Sequence, residues 1–332
     1  MRRTRWSTVA VIAVAITALT SCGSDAPAGS DAGGDGSGLT TVKVGIVPVS
    51  TVAPLYLGIE QGFFEDVGLE VVPEVINTSP AIVAGVISNE QQIGFSAVAS
   101  ILQAQARGLP ISVVVGGSMT PKSEPATGLI AAKDSGLTSP AQLAGKTIAV
   151  NELQGQSELA IRAVAKEAGV SQDDLEFIAL PFPDMVAALD AGQADAAGMV
   201  QPFGTVAEAA GHVTIVPDYY MELDEALTIT SWLAADSFIS ENEDVVRNFS
   251  EALSKSMQYA IDNPAEVRRI IPTFTRIPAE AAEGLPLAAT SPTVTQDALE
   301  KEIELMVEFG LLESAVDADE YVAELVRDDI VK

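Results

Sequence analysis

The stretch VAALDAGQADAAGMV, residues 186–200, shares its grammar with VAGVISNEQQIGFSA, residues 83–97, and the two align without a gap at an offset of 103 residues. Val83 falls on Val186, Ala84 on Ala187, Val86 on Leu189 and Asn89 on Gly192. In each, apolar residues at helical spacing stop at a residue that tolerates a left-handed backbone, and a short apolar run follows. Each predicts a helix, a tight turn and a buried strand. A unit used twice, about a hundred residues apart, points to two similar α/β lobes, with chance similarity between two Ala/Val-rich segments as the alternative.

Around these units short apolar runs alternate with amphipathic stretches, the pattern of parallel sheets flanked by helices. VKVGIVPV (42–49) reads as a buried strand and PLYLGIEQGFFEDV (54–67) as a helix with Pro54 in its first turn. LEVVPEVI, QIGFS and ISVVVGGS (111–118) read as further strands, with helices over 80–88 and 100–108 between them. KTIAV opens a second series, followed by a helix over 157–169 closed by Gly169 and by the strand LEFIALP. TITSWLAADSF (228–238) reads as a return strand, and the chain from Glu241 as mostly helical. The predicted division is 42–133 plus 234–332 for lobe 1 with the C-terminal helices, and 134–233 for lobe 2. Crossings near Ala131–Asp134 and Ser231–Ala235 join them twice, which is what a hinge requires.

The first 21 residues read as a signal peptide: Arg2, Arg3 and Arg5 precede an apolar run from Val9 to Leu19. That run is shorter than the roughly 20 residues a membrane span needs. Leu19-Thr20-Ser21-Cys22 resembles the lipobox of bacterial lipoproteins, which implies diacylation of Cys22 and a membrane tether on the outer face of the cell. An uncleaved anchor helix and a plain secretory signal are the alternatives. Residues 23–40, GSDAPAGSDAGGDGSGLT, bury almost nothing, so 22–41 is read as a lipidated cysteine followed by a flexible tether.

The 332-residue chain is 48% hydrophobic and long enough for two domains. Its formal net charge is −28, and loss of residues 1–21 removes three arginines and no acid, making it more negative still. Nucleic acid is repelled by such a surface. With Cys22, the only cysteine, committed to lipid, an internal disulfide and a thiol nucleophile are excluded, and His212 as the only histidine excludes a histidine-based metal cluster. No catalytic residue, metal or cofactor is expected.

Three segments carry a family resemblance. APLYLGIEQGFFEDVGLEV (53–71), LTSPAQLAGKTIAVNELQGQSELAIRAVAKEAG (137–169) and AALDAGQADAAGMVQPF (187–203) resemble the substrate-binding proteins of the nitrate/sulfonate/taurine importer group, which includes THI5-like and NMT1-like binders of thiamine pyrimidine precursors. The resemblance implies a type II periplasmic-binding-protein fold: two α/β lobes, a hinge and an interlobe ligand cleft. It also implies a monomer that serves an ABC permease and its ATPase. Two departures stand out, Asn89-Glu90-Gln91-Gln92 in place of a Gly-x-x-Asp turn, and Gln201 where many members have an acid before the proline.

Ligands of open α/β sheets sit beyond the carboxyl ends of strands, where helix N-termini present free amides. The candidate ligand residues are Ser50, Thr51, Ser96, Gly117, Ser118, Asn151, Gln156, Ser157, Gln201, Phe203 and Trp232. For the hydroxyl and amide side chains, helix capping is the competing role; for Trp232 and Phe203 it is core packing. Tyr56 and the pair Tyr219-Tyr220 are weaker aromatic candidates. Only Lys122 lies just beyond a strand-end loop, so a multiply charged anion is disfavoured. A small solute of the sulfonate, nitrate or taurine kind is the leading expectation, with a neutral heteroaromatic or a sensor-kinase ligand as the alternative. An enzyme on the same fold is the second class, and a single His and a single, lipidated Cys argue against it.

Overall fold

The computed structural model describes residues 38–120, 125–224 and 227–332. The expected signal peptide, Cys22, nearly all of the tether and Lys122 lie outside the described residues.

Among the described residues twelve strands follow in chain order: β1 (Thr40–Ile46), β2 (Leu69–Val75), β3 (Ile93–Ala97), β4 (Ile111–Val115), β5 (Ser118–Met119), β6 (Thr127–Ala131), β7 (Lys146–Val150), β8 (Leu175–Ala179), β9 (Ala196–Val200), β10 (Val213–Val216), β11 (Thr230–Ala235) and β12 (Ala289–Thr290). One sheet runs β2-β1-β3-β11-β4 and the other β8-β7-β9-β6-β10. The plans are the same. In each, three parallel strands are followed by an antiparallel fourth, β11 or β6, and then an edge strand. Strands such as IGFSA (β3) and AAGMV (β9) are buried almost throughout, as expected of strands covered on both faces.

The repeated sequence unit is a repeated structural unit. Helix α1 spans Ala53–Glu60, α2 Ser79–Ile87, α3 Val98–Ala106, α4 Gln156–Glu167, α5 Phe182–Asp190 and α6 Phe203–Ala209. After α2, Asn89 takes a left-handed backbone with φ 58°, and after α5 Gly192 does so with φ 67°. The turn hydrogen bonds recur on the aligned residues: Asn89 N–H to Val86 O at 3.1 Å and Gly192 N–H to Leu189 O at 3.2 Å, then Glu90 N–H to Gly85 O and Gln193 N–H to Ala188 O, both at 2.9 Å. The strands that follow, β3 and β9, hold the same central place in their sheets.

Two expectations are corrected. The helix expected over 54–67 ends at Glu60, because Gly62 at φ 74° turns the chain, and only a single 3-10 turn, Glu65–Val67, follows. The expected lobe boundaries come too late in the chain: β6, placed in lobe 1, is in the second sheet, and β11, divided by the expected boundary at 233/234, is wholly in the first. The chain has therefore changed sheet before β6 begins and again before β11 begins, earlier in both cases than the expected crossings. The signal missed was that TGLIA and TSWLAA each complete the sheet the chain is entering.

A Cβ built on Gly192 meets nothing within 4 Å. Gly192→Ala is therefore expected to lose about 1 kcal/mol through backbone strain alone, while Asn89→Gly changes stability by less than about 0.5 kcal/mol. Urea denaturation of both variants measures this, and a neutral Gly192→Ala would show that the left-handed residue does not constrain the unit.

Candidate functional site

Segments at the ends of β1, β3, β7 and β9 converge on a cavity of about 70 Å³ between the two sheets. That holds a handful of waters, or one small molecule. Val49, Ser50 and Thr51 line it after β1, Ala97 at the end of β3, Asn151 and Glu152 after β7, and Val200 and Gln201 at the end of β9.

The helix starts around the cavity are already supplied with acceptors, and several come from the opposite lobe. Glu152, which follows β7, accepts from Ser79 N–H at the start of α2 at 3.0 Å and from Ser100 Oγ of α3 at 2.9 Å. Gln156 Oε1, at the start of α4, accepts from Ala99 N–H of α3 at 2.9 Å. The carbonyl of Gln201 accepts from Ser50 N–H at 2.9 Å. Neither α2 nor α3 has a capping side chain of its own at its N-cap position, so each borrows one across the cleft.

Glu152 is 6% exposed, and burial raises its pKa above the ordinary carboxylate value against the opposing pull of the Ser100 and Ser79 hydrogen bonds. The second lining carboxylate, Asp218, accepts from Ala126 N–H at 2.9 Å, Thr127 Oγ1 at 2.8 Å, Tyr220 N–H at 3.1 Å and Met221 N–H at 3.2 Å. It ties the segment after β10 to the start of β6. Ser157 Oγ lies 3.2 Å and 3.1 Å from the hydroxyls of Tyr219 and Tyr220, and burial raises the pKa of both phenols, so they are neutral hydrogen-bonding groups. Among the described lining residues there is no Lys, Arg, His or Cys.

Of the residues expected from sequence, Ser50, Thr51, Ser118, Asn151, Gln156, Ser157 and Gln201 line the cavity. Four do not. Ser96 is buried in β3 between Phe95 and Ala97, which are the lining residues of that strand. Gly117 backs onto β11, where an added Cβ would lie 2.4 Å from Thr230 O. Trp232 is a core residue, with ring centroids 4.8 Å from Phe95 and 6.2 Å from Phe249. Phe203 stacks on Phe182 at 6.1 Å, and it is Phe182 that lines the cavity. Gln201 lines it with its side chain engaged, since Oε1 accepts from Thr205 N–H and Thr205 Oγ1 at 3.2 and 3.0 Å.

Sequence reasoning missed Ser79, Thr127, Glu152, Asp218 and Thr230. Ser79 opens α2 after β2 and Glu152 follows β7, so both were legible by the same strand-end rule. Thr127, Asp218 and Thr230 belong to the misplaced crossings.

The family model described as NMT1/THI5 like matches residues 49–267. A Bacillus subtilis (strain 168) chain named as a binding protein, YtlA, is 25% identical over 231 residues, covering 69% of this chain and 68% of that one. A 4-amino-5-hydroxymethyl-2-methylpyrimidine phosphate synthase of Aspergillus parasiticus is 27% identical over 225 residues, covering 64% of each. The match thus spans about two thirds of each relative's length. Among solved structures, the alkanesulfonate-binding protein SsuA from Xanthomonas axonopodis pv. citri, bound to MOPS, superposes with a TM-score of 0.72 at 18% identity, covering 85% of this chain and 98% of that one. The fold is the two-lobed periplasmic-binding-protein fold that the sequence predicts.

Removing the Glu152 carboxylate leaves a buried N–H and a buried hydroxyl without an acceptor. Glu152→Ala is expected to lose about 1–3 kcal/mol and Glu152→Gln, which keeps one oxygen, clearly less. Urea midpoints that order the two variants the other way would show that the cross-cleft bonds are not what the carboxylate contributes.

Proposed function

The chain belongs to the NMT1/THI5-like family, and we infer that it is the extracytoplasmic solute-binding component of an ABC importer. It captures a small solute between its lobes and delivers it to the permease, held at the outer face of the membrane by a lipid on Cys22. One observation carries this reading: the cavity is lined by residues from both sheets, and hydrogen bonds from each lobe to the other surround it. Such a site holds a guest by shape and hydrogen bonds when the lobes meet.

Binding without turnover is favoured over synthesis. The two lining carboxylates are occupied by protein donors, and the described lining has no histidine or cysteine to act as base or nucleophile.

Of the ligand classes expected from sequence, the lining favours a neutral heteroaromatic, such as a thiamine pyrimidine precursor, over nitrate or a plain sulfonate. The amides of Ser50, Ser79 and Ala99, which would have received an anion, already have acceptors, and the formal charges among the described lining residues are both negative. Bringing an anion there without a cation is costly. Taurine, whose ammonium group suits a carboxylate, stands between the two classes.

The purified protein is expected to gain about 4 °C in melting temperature with 4-amino-5-hydroxymethyl-2-methylpyrimidine present at a hundredfold over its Kd, and nothing with nitrate or ethanesulfonate. The opposite pattern reverses the ligand class. Silence with every compound, taurine included, removes the ligand assignment, and chemical conversion of any of them removes the receptor reading.

A further inference from the structure

The helix Gln296–Glu308 touches both lobes. Leu299, Ile303 and Met306 lie in the larger core, which holds the first sheet, while Leu305 also packs on the core around β6, β7 and α4. On its flanks Lys301 pairs with Asp224 at 2.6 Å and Glu308 pairs with Lys166 of α4. In the middle of this bridge, 1% exposed, sits Glu302.

Neither oxygen of Glu302 has a hydrogen-bond partner, and neither does Nε2 of the Gln156 amide that faces it. Gln156 is the residue that lines the cavity and accepts from Ala99 N–H across the cleft. Glu302 therefore stands directly behind a cross-cleft contact, in a place where water does not reach and a charge has no counter-ion.

We propose that Glu302 is a proton-operated positioning residue: uncharged, it lets the Gln296–Glu308 helix seat Gln156 against α3 with the lobes together, and charged, it unseats that contact. The inference does not depend on which solute is bound, nor on there being one.

The groups around it leave the charge uncompensated. From α4 comes the Gln156 amide, and from the C-terminal segment Tyr321, whose hydroxyl donates to Ser231 Oγ at 3.0 Å and stays neutral because burial raises its pKa. Helix α3, VASILQAQA, has no charged residue. The neighbouring Glu158 is paired with Arg162 at 2.8 Å, and the lysines nearest in the bridge, Lys301 and Lys166, are taken by Asp224 and Glu308. Glu152, four residues before Gln156, is a second buried carboxyl, so a variant at 302 is needed to separate the two.

The direction follows from burial. The ordinary carboxyl value is 4.5, and burial pushes Glu302 up to about 8, with the Gln156 amide opposing weakly. In an arrangement that lets water in, the group ionises near its ordinary value. The seated arrangement is thus at full strength below that value, weakens about tenfold per pH unit as pH rises, and loses the whole contribution by about pH 8. Capture is favoured in acid and release in alkali.

The test is small-angle scattering on the full chain without ligand, from pH 5.5 to 9, for the unaltered protein, E302Q and E302M. The radius of gyration of the unaltered protein should rise reversibly across this range as the lobes separate. Both neutral variants should stay compact, with the seated fraction changing less than twofold. A flat profile for the unaltered protein, or the same transition in E302Q and E302M, overturns the proposal. If E302Q does not fold, E302M and the profile of the unaltered protein decide it. The solute panel at pH 6 reads the receptor assignment independently, so the two can fail separately.

Discussion

A buried carboxylate, Glu152, is hydrogen-bonded across the two lobes and ties one to the other. Glu152 leaves the second sheet at the end of β7 and finds its hydrogen-bond donors on α2 and α3 of the first. Desolvating a carboxylate costs several kcal/mol, and only donors in place on the other side offset it. The partners are the free N–H at a helix start and a serine hydroxyl one helix further on, so the charge meets both a donor and the positive end of the α2 dipole. Parting the lobes strips Glu152, Ser79 and Ser100 of one another together. The contact is cooperative in that sense. It also needs room made for it: a Cβ on Gly155 would lie 2.3 Å from Cγ of Glu152, so glycine is required where the loop folds back over the side chain.

The fold was legible because its signals are local and repeated. Helical spacing that stops at Asn89 or Gly192 and resumes as an apolar run fixes helix, turn and strand without reference to the rest of the chain, and the structure repeats even the turn hydrogen bonds. The sheet to which a strand belongs is not local information. TGLIA and TSWLAA read as buried strands in either lobe, and pairing partners far along the chain decide that β6 joins β9 and β11 joins β3 and β4. The site divides the same way. Loops after strands can be named from sequence, which placed Ser50, Thr51, Asn151 and Gln156 at the cavity, whereas side-chain facing within a strand cannot be named until the register is known. Ser96 and Trp232 failed for that reason.

The same scaffold appears in binding proteins and in synthases, so the difference between them lies in the lining. Here the polar lining is hydroxyls, amides and two carboxylates already surrounded by protein donors. Groups of this kind can orient a guest by hydrogen bonds. The exposed ion pairs that decorate this acidic chain, such as Lys133 with Asp190 or Lys255 with Asp66, contribute little to holding the lobes in register. That work falls to buried groups at the interface and to the cores behind them.

The two crossings connect ligand and hinge more directly than an edge connection would. Each enters a sheet as its antiparallel fourth strand, flanked by neighbours on both sides, so a rotation of one lobe is transmitted to the interior of the other sheet and not to its rim. The first residues of these strands, Thr127 of β6 and Thr230 of β11, line the cavity, as do Ala126 and Ile229 immediately before them. Asp218, in the second crossing, anchors the first through Ala126 and Thr127. A guest in the cavity therefore touches both crossings as well as both lobes. On the proposed function, whatever a solute gains from Thr127 and Thr230 depends on how the two crossings are set, and a difference in that contact between two lobe arrangements is what would let it shift their populations.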